Sequence, residues 1–251
     1  MALHTVVAGS GPRIVLVHGF AQTQACWGEV GDELASDHEV VRVDAPGHGG
    51  SADLRADLAG TADLLAEAGG PATYVGYSMG GRMVLHLALA HPDVVRGMVL
   101  IGATAGIDDP IEREARQVAD DALAVAIEVD GVDAFLDRWL ALPLFAGLDE
   151  HTAFRTERLA NTADGLASSL RLAGTGQQEP LWDRLGSVTA PTLVVAGADD
   201  EKFGALGRRI ADGIGPGPTF ETVAGAGHSA HLEQPEAFLD VLRPWLSRHG
   251  L

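Results

Sequence analysis

The stretch Ala72-Thr73-Tyr74-Val75-Gly76-Tyr77-Ser78-Met79-Gly80-Gly81-Arg82 decides the fold of this chain. Its first residues favour a β-strand, its centre fits the pattern G-x-S-x-G, and the apolar segment 79–91 predicts a helix that stops at Pro92. A serine between a strand and a helix is typical of a nucleophile elbow, although a glycine-rich turn can contain a serine by chance. We predict that Ser78 is catalytic and that the Met79 amide, at the helix start, faces a developing negative charge.

Apolar segments on either side of this motif alternate with helical ones. Continuous apolar runs at Ile14–Val17, Val40–Val43 and Val94–Ile101 are typical of strands that are covered on both faces. The order strand, strand, helix, strand, helix, strand, helix, strand predicts a mostly parallel sheet with helices on both faces. Ligands of such sheets bind beyond the carboxyl ends of the strands, and Ser78 follows a strand at that edge.

The alternation stops after Gly106. The segment 109–172 predicts helices, among them separate ones at 111–127 and 132–140, and almost no strand. A helical block inserted into an α/β chain is typical of a cap over an active site. We therefore predict an α/β core formed by residues 1–105 and 181–251 and a helical cap insertion formed by residues 106–180.

Composition limits the class of protein. The chain has 251 residues, 46% of them hydrophobic, which suits one large α/β domain with an insertion. Its 17 basic and 35 acidic residues give a net charge of −18, which argues against a nucleic-acid partner. No secretory leader is recognised, and no apolar stretch approaches the roughly 20 residues of a membrane span. Cys26 is the single cysteine, which is typical of a protein from a reducing compartment. We expect a cytoplasmic protein with no membrane partner, no metal and no cofactor, and we favour a monomer.

A serine, an acid and a histidine follow successive parts of the α/β pattern. Ser78 follows one strand, Asp200 follows the strand predicted at 191–197, and His228 lies in a later loop. A serine hydroxyl reacts poorly at neutral pH unless an imidazole takes its proton and a carboxylate orients that imidazole. We predict that these three residues form a catalytic triad, with Asp199 as the alternative acid.

Two loops contain further candidates. His18-Gly19-Phe20 follows a buried strand, and we predict that the Phe20 amide is the second oxyanion donor beside that of Met79. An ordinary strand-to-helix loop is the alternative. The loop after Val43 contains His48, which is either another candidate base or, as we favour, an anchor for the loop.

Six segments spread over nearly the whole chain carry a family resemblance. They are His18-Gly19-Phe20, Pro46-Gly47-His48-Gly49-Gly50-Ser51, Gly76-Tyr77-Ser78-Met79-Gly80-Gly81-Arg82, Trp139 through Phe145, Gly197 through Phe203, and Gly225-Ala226-Gly227-His228 followed by Ala230-His231. They resemble the α/β-hydrolase superfamily and, within it, the 2-succinyl-6-hydroxy-2,4-cyclohexadiene-1-carboxylate synthases of menaquinone biosynthesis. The resemblance implies the α/β-hydrolase fold.

The resemblance also implies a reaction and a set of substrate contacts. In this family pyruvate is eliminated from a succinyl-enolpyruvyl-cyclohexene precursor, so the triad would remove a substrate proton and the oxyanion hole would hold enolate-like charge. The substrate would be a small anionic polycarboxylate that is bound by arginines. The implied substrate-binding residues are Tyr77, Arg82, Arg116, Trp139 and Arg158, of which Arg158 matches only across a short gap.

Two other functions stay open at this point. A carboxylester or lactone hydrolase would use the same triad, and only the arginines and the cap motifs speak against it. A non-catalytic ligand-binding protein of the same fold would not need all three triad residues.

Overall fold

A seven-stranded sheet forms the centre of the molecule. The structure is a computed structural model that describes residues 2–215 and 217–251. The strands are β1 (Thr5–Ala8), β2 (Arg13–Val17), β3 (Glu39–Val43), β4 (Ala72–Tyr77), β5 (Val95–Ile101), β6 (Thr192–Gly197) and β7 (Thr219–Val223). Their order across the sheet is β1-β3-β2-β4-β5-β6-β7.

The sheet is parallel except at one edge. β1 pairs antiparallel with β3, and the other neighbouring strands pair in parallel. β4 and β6 are buried along their whole length because helices cover both faces, whereas the edge strand β1 is partly exposed. The carboxyl ends of the parallel strands meet at a common edge. These features confirm the predicted α/β-hydrolase architecture with a mostly parallel sheet.

Helices cover the sheet through two apolar clusters. The helices are α1 (Gly28–Leu34), α2 (Leu58–Gly69), α3 (Met79–Ala90), α4 (Pro110–Leu140), α5 (Arg155–Arg158), α6 (Ala163–Ala173), α7 (Glu201–Ile214), α8 (Ala230–Glu233) and α9 (Pro235–His249). α2 and α3 pack on one face, and α1 and α9 pack on the other. Val15 and Leu16, which are adjacent in β2, belong to different clusters because successive side chains of a strand point to opposite faces.

Local features of the chain set the form of two helices. α2 begins at Leu58 because Asp57 caps it, with its carboxylate accepting the Gly60 amide at 2.7 Å. The helices predicted at 111–127 and 132–140 are the two arms of α4. The backbone of α4 leaves helical values at Gly131, where φ is 81° and ψ is 168°, and glycine adopts such a conformation at little cost.

The helices between β5 and β6 lie over the sheet edge at which the site forms. α4 and α6 pack against each other and against Ala21 in the loop after β2, burying Ile127, Leu136 and Leu166. The division into a core at 1–105 and 181–251 and a cap at 106–180 stays a prediction. None of the described helices combines the length and the apolar character that crossing a membrane requires.

Candidate active site

Ser78 lies in the sharp turn between β4 and α3. Its φ of 50° and ψ of −106° lie outside the regions that residues with side chains usually adopt, so the turn is strained. Two glycines make room for this turn. A Cβ at Gly76 would lie 2.5 Å from the carbonyl oxygen of Gly80, and a Cβ at Gly80 would overlap the carbonyl oxygen of Val17. Ser78 thereby reaches the wall of a cavity at the sheet edge.

His228 connects Ser78 to Asp200. Its Nε2 lies 3.2 Å from the hydroxyl oxygen of Ser78, and its Nδ1 lies 2.9 Å from Oδ2 of Asp200. The alternative acid, Asp199, is exposed to solvent. The structure therefore brings the three predicted residues together with the imidazole between the hydroxyl and the carboxylate, and Asp200 is the acid that contacts the imidazole.

The carboxylate of Asp200 is ionised at neutral pH. Burial acts to raise the pKa of Asp200, but hydrogen bonds with His228 and the Phe203 amide, together with the charge of Lys202, outweigh burial and lower this pKa. The Phe203 ring also packs on the imidazole of His228, with ring centroids 4.3 Å apart. An ionised carboxylate at Nδ1 favours the tautomer whose Nε2 is free to accept the Ser78 proton.

Phe20 and Met79, the predicted oxyanion donors, both line the cavity with Ser78. Met79 is the first residue of α3, where an amide has no acceptor within its own helix. The turn that contains Phe20 is held by Gln22, whose Oε1 accepts the Gly19 amide at 2.9 Å. Both residues line the cavity together with Ser78, and the role of their amides as an oxyanion hole stays a prediction.

Buried histidines anchor the loops around the site. Nε2 of His48 accepts the Ala21 amide at 3.2 Å, and its Nδ1 donates to the carbonyl oxygen of Pro46 at 3.1 Å. Nε2 of His18 accepts the Ala45 amide at 3.1 Å. Burial lowers the pKa of His48 to about 3 and that of His18 to about 4, so both rings are neutral. His48 is therefore occupied by backbone groups, which supports its interpretation as an anchor.

A cavity of about 910 Å³ opens beside Ser78. Its wall includes the predicted site residues apart from Asp200, which lies behind His228. The cavity also gathers cationic side chains in a chain whose net charge is −18. Its charged lining residues are Arg82, Arg116, Arg158, Lys202 and Arg209, with Asp108, Asp109, Glu112 and Asp120 among them.

Arg82 and Arg116 lie close enough to influence each other. Nη1 of the buried Arg82 donates to the carbonyl oxygen of Ala173 at 2.8 Å. Burial lowers the pKa of Arg82 to about 10, and the charge of Arg116 contributes to the lowering while Asp120 opposes it. Nε of Arg116 donates to Asp120 at 2.7 Å, and the other oxygen of this carboxylate accepts the Gly176 amide at 3.2 Å. The guanidinium group of Arg82 therefore remains charged at neutral pH.

Arg158 is a buried cation whose hydrogen-bond partners are neutral. Only 1% of its surface is exposed. Nε donates to the carbonyl oxygen of Ala153 at 2.7 Å, and Nη1 donates to that of Ala21 at 3.3 Å. Nη2 has no partner among the residues that the structure describes. Because burial lowers the pKa of Arg158, an anion that entered the cavity would relieve an unfavourable environment.

Tyr77 and Trp139 form aromatic parts of the wall. The Tyr77 hydroxyl lies 2.7 Å from that of Ser229, and burial raises the pKa of the phenol well above its usual value. The Trp139 ring packs on Phe20, with ring centroids 5.5 Å apart, and on Phe145 at 5.4 Å. The segment that contains Trp139 and Phe145 thereby contacts the loop of Phe20, the predicted oxyanion donor.

Several residues of the wall are absent from the sequence-based predictions of the site. Asp120, one helical turn after Arg116, could have been found from the i, i+4 spacing of opposite charges. Arg209 pairs with Asp108 and lies over the ring of Trp182, an arrangement without a sequence signal. Within the described ranges, no group of three or more His, Cys, Asp or Glu side chains is placed to hold a metal ion.

The strained serine turn, the Ser78–His228–Asp200 relay and the sheet order together define the site of an α/β-hydrolase. Residues 14–241 match the alpha/beta hydrolase family, and the chain belongs to it. More particularly, it belongs with the 2-succinyl-6-hydroxy-2,4-cyclohexadiene-1-carboxylate synthases. The synthase of Citrobacter koseri is 32% identical over 92% of each chain. A candidate for the same synthase from Bacillus subtilis is 34% identical over 96% of this chain and 94% of the relative.

Solved structures agree with this grouping. The structure of MenH from S. aureus superposes with a TM-score of 0.91 at 28% identity and covers 99% of both chains. A thermophilic esterase from Thermogutta terrifontis, with malate bound, superposes with a TM-score of 0.85 at 26% identity, over 98% of this chain and 93% of the esterase. The family predicted from the sequence is confirmed, and the frame is shared with ester hydrolases.

Proposed function

We propose that this protein is a 2-succinyl-6-hydroxy-2,4-cyclohexadiene-1-carboxylate synthase, a carbon–oxygen lyase of menaquinone biosynthesis. It would eliminate pyruvate from the succinyl-enolpyruvyl-cyclohexene precursor. One observation carries this proposal: a Ser–His–Asp relay opens on a cavity that gathers five cationic side chains in a chain of net charge −18. Charge-assisted hydrogen bonds would stabilise a polycarboxylate in such a cavity, whereas a neutral ester would gain little binding energy from the cationic groups.

Ser78 and His228 would act together as the base. The hydroxyl oxygen of Ser78 takes a proton from a substrate carbon while its own proton passes to Nε2 of His228, 3.2 Å away. The electron pair that remains on carbon becomes part of the new diene as the bond to the enolpyruvyl oxygen breaks. The departing group takes up a proton and leaves as pyruvate. Asp200 stabilises the imidazolium that forms.

Charge stabilisation would come from two directions. The amides of Phe20 and Met79 face the oxygen on which enolate-like charge develops. Arg82, Arg116 and Arg158 would bind the carboxylates of the substrate. In a cavity that excludes water, charge-assisted hydrogen bonds from a guanidinium are stronger than in bulk solvent, and salt screens the repulsive net charge beyond about 8–10 Å.

Hydrolysis of a carboxylester or lactone is the second candidate function. The same Ser78–His228 contact, 3.2 Å long, suits nucleophilic attack on an acyl carbon, and the Thermogutta esterase has the same fold. The arginines favour the lyase, since attack on a neutral ester has no use for them. We also propose a cytoplasmic monomer with no nucleic-acid or membrane partner, built as the core and cap predicted from the sequence.

Pyruvate release from the enolpyruvyl precursor tests the proposal, with p-nitrophenyl acetate as the parallel substrate. We expect rapid pyruvate release and slow ester cleavage, and both should disappear in Ser78→Ala. Rapid ester cleavage without pyruvate release would favour the hydrolase. Pyruvate release that persists in Ser78→Ala would contradict the proposed base.

A further inference from the structure

Glu233 brackets the catalytic histidine with two hydrogen bonds. Its Oε2 accepts the amide of Gly227 at 2.7 Å, and its Oε1 accepts the amide of Ser229 at 2.9 Å. These two residues flank His228 directly in the chain. Hydrogen bonds from amides to a carboxylate are charge-assisted and stronger than bonds between neutral groups. One carboxylate therefore fixes the backbone on both sides of the imidazole.

The histidine loop is tied to the rest of the site at a further point. The Ser229 hydroxyl lies 2.7 Å from the hydroxyl of Tyr77, at the end of β4 and next to Ser78. The Glu233 carboxylate thus holds the two amides of the histidine loop, and the Tyr77–Ser229 contact holds this loop to β4, the strand that precedes the serine. Both restraints act on the loop from which Nε2 of His228 reaches the serine hydroxyl oxygen.

A glycine of the cap segment limits where the Glu233 side chain can lie. Gly147 follows the short 3₁₀ turn Pro143–Phe145, and a Cβ at this position would lie 2.6 Å from Cδ of Glu233 and would overlap Oε2. Its φ lies outside the positive range that only glycine adopts readily, so alanine would be excluded by the carboxylate and not by the backbone. The cap segment thus abuts the carboxylate that holds the histidine loop.

We infer that Glu233 is a positioning residue for His228 and that the close approach of Gly147 keeps its carboxylate on the Gly227 and Ser229 amides. This inference rests on the proposed catalytic role of the Ser78–His228 pair, but not on the identity of the substrate. Losing the carboxylate would free the loop, and a displacement of about 1 Å in a reacting group lowers a rate by about 10²-fold.

The first test measures how fast diisopropyl fluorophosphate modifies Ser78. This reagent is neutral and needs no arginine: the serine oxygen bonds to phosphorus, fluoride leaves, and His228 takes the proton. We expect Glu233→Ala to slow modification by about 10²-fold. Glu233→Gln, which keeps only one acceptor oxygen, should show a smaller loss. Glu236→Gln, at an exposed acid three residues further along, is the matched control and should react like the wild type.

The second test uses Gly147→Ala. Its added methyl group should displace the Glu233 carboxylate and slow Ser78 modification even though Glu233 is still present. In combination with Glu233→Ala it should add little, because both changes release the same two amides. In the pyruvate-release assay, kcat of these variants should fall while KM stays within about threefold of the wild-type value, because the arginine contacts are untouched.

Three outcomes would overturn the inference. The first is modification within twofold of the wild type in folded Glu233→Ala and Glu233→Gln. The second is full additivity of Gly147→Ala and Glu233→Ala. The third is a loss of rate that merely follows a loss of folded protein, measured by circular dichroism. If wild-type protein releases no pyruvate but its Ser78 modification depends on Glu233, the positioning role stands and the proposed lyase function fails.

Discussion

Replacing Arg158 by methionine should lower activity toward the anionic substrate without destabilising the protein. Most buried charges are paired, and removing one usually costs stability. Arg158 differs because it is almost fully buried, its two partners are carbonyl oxygens, and its Nη2 has no partner among the described residues. We therefore expect stability and activity to change in different directions.

The expected change in the free energy of unfolding follows from these contacts. The carbonyl oxygen of Ala153 would lose its donor, which costs about 1–3 kcal/mol. The carbonyl oxygen of Ala21 would keep a second donor, since Nδ2 of Asn161 lies 3.4 Å away. Removing this buried cation, whose described side-chain partners are carbonyl oxygens, returns several kcal/mol of desolvation energy, and methionine fills a similar volume. The melting temperature of Arg158→Met should therefore match or exceed that of the wild type.

Activity toward the anionic substrate, in contrast, should fall. If Nη2 donates to a substrate carboxylate, its removal costs about 1.5–3 kcal/mol of transition-state binding, the range for hydrogen bonds to charged groups. This loss corresponds to about 10- to 150-fold in kcat/KM for pyruvate release. Arg158→Lys keeps the charge but loses the planar fork, so it should recover only part of this activity.

Thermal unfolding and pyruvate release, measured on the same preparations, check this prediction. Cleavage of p-nitrophenyl acetate by Arg158→Met is the control and should stay within twofold of the wild type. For a protein of this size 1 kcal/mol corresponds to about 2–4 °C. A fall in melting temperature of more than about 5 °C, or an unchanged kcat/KM, would refute the reasoning.

Further predictions concern the relay, the other arginines and the buried histidines. Ser78→Ala should lower pyruvate release by about 10³-fold or more, and near-normal turnover would exclude the triad assignment. Arg82→Gln should lower kcat/KM for the polycarboxylate by about 10-fold or more while p-nitrophenyl acetate cleavage is spared, and equal losses on both substrates would argue against the lyase. Asp120→Ala should raise KM for the polycarboxylate several-fold because Arg116 loses the acceptor that holds its Nε, and an unchanged KM would show that this ion pair is dispensable. When the pH falls from 7 to 5, each buried histidine such as His48 should reduce the free energy of unfolding by on the order of 1–2 kcal/mol. Burial lowers its folded-state pKa to about 3 from 6.5, so the unfolded chain binds more protons across this interval. Urea unfolding at the two pH values measures this effect, and equal midpoints would contradict it.

The elbow could be predicted from the sequence because its constraints are local. The β-favouring residues before Ser78, the flanking glycines and the apolar helix after it are adjacent in the chain. Asp200 and His228 were also accessible, because parallel strands bring the residues that follow them to one edge of the sheet. The choice of Asp200 over Asp199 rested on one residue of spacing, and the 2.9 Å contact with Nδ1 of His228 supports it.

Other features depend on contacts between distant parts of the chain. The pattern at 111–140 indicates two helices, but only the structure shows that they join through Gly131 as one kinked element. Arg116 is the residue that the resemblance implied, whereas the buried acid that holds it was missed. Glu233 carries no motif of its own, and its significance appears only when its oxygens are seen on the amides beside His228.

The sequence by itself determined the α/β-hydrolase fold, the family and the positions of the serine, the acid and the histidine. Hydrophobic periodicity and turn chemistry depend on residues that are close together in the chain, so they can be recognised without knowledge of the packing. Only the tertiary structure decided which polar groups are paired and which are not. Backbone groups occupy both ring nitrogens of His48, Nη2 of Arg158 has no partner in the described part of the chain, and Gly147 lies against the Glu233 carboxylate. The reason is physical: burial and hydrogen-bond partners arise where segments far apart in the chain meet, and those contacts set the charge and the position of each group.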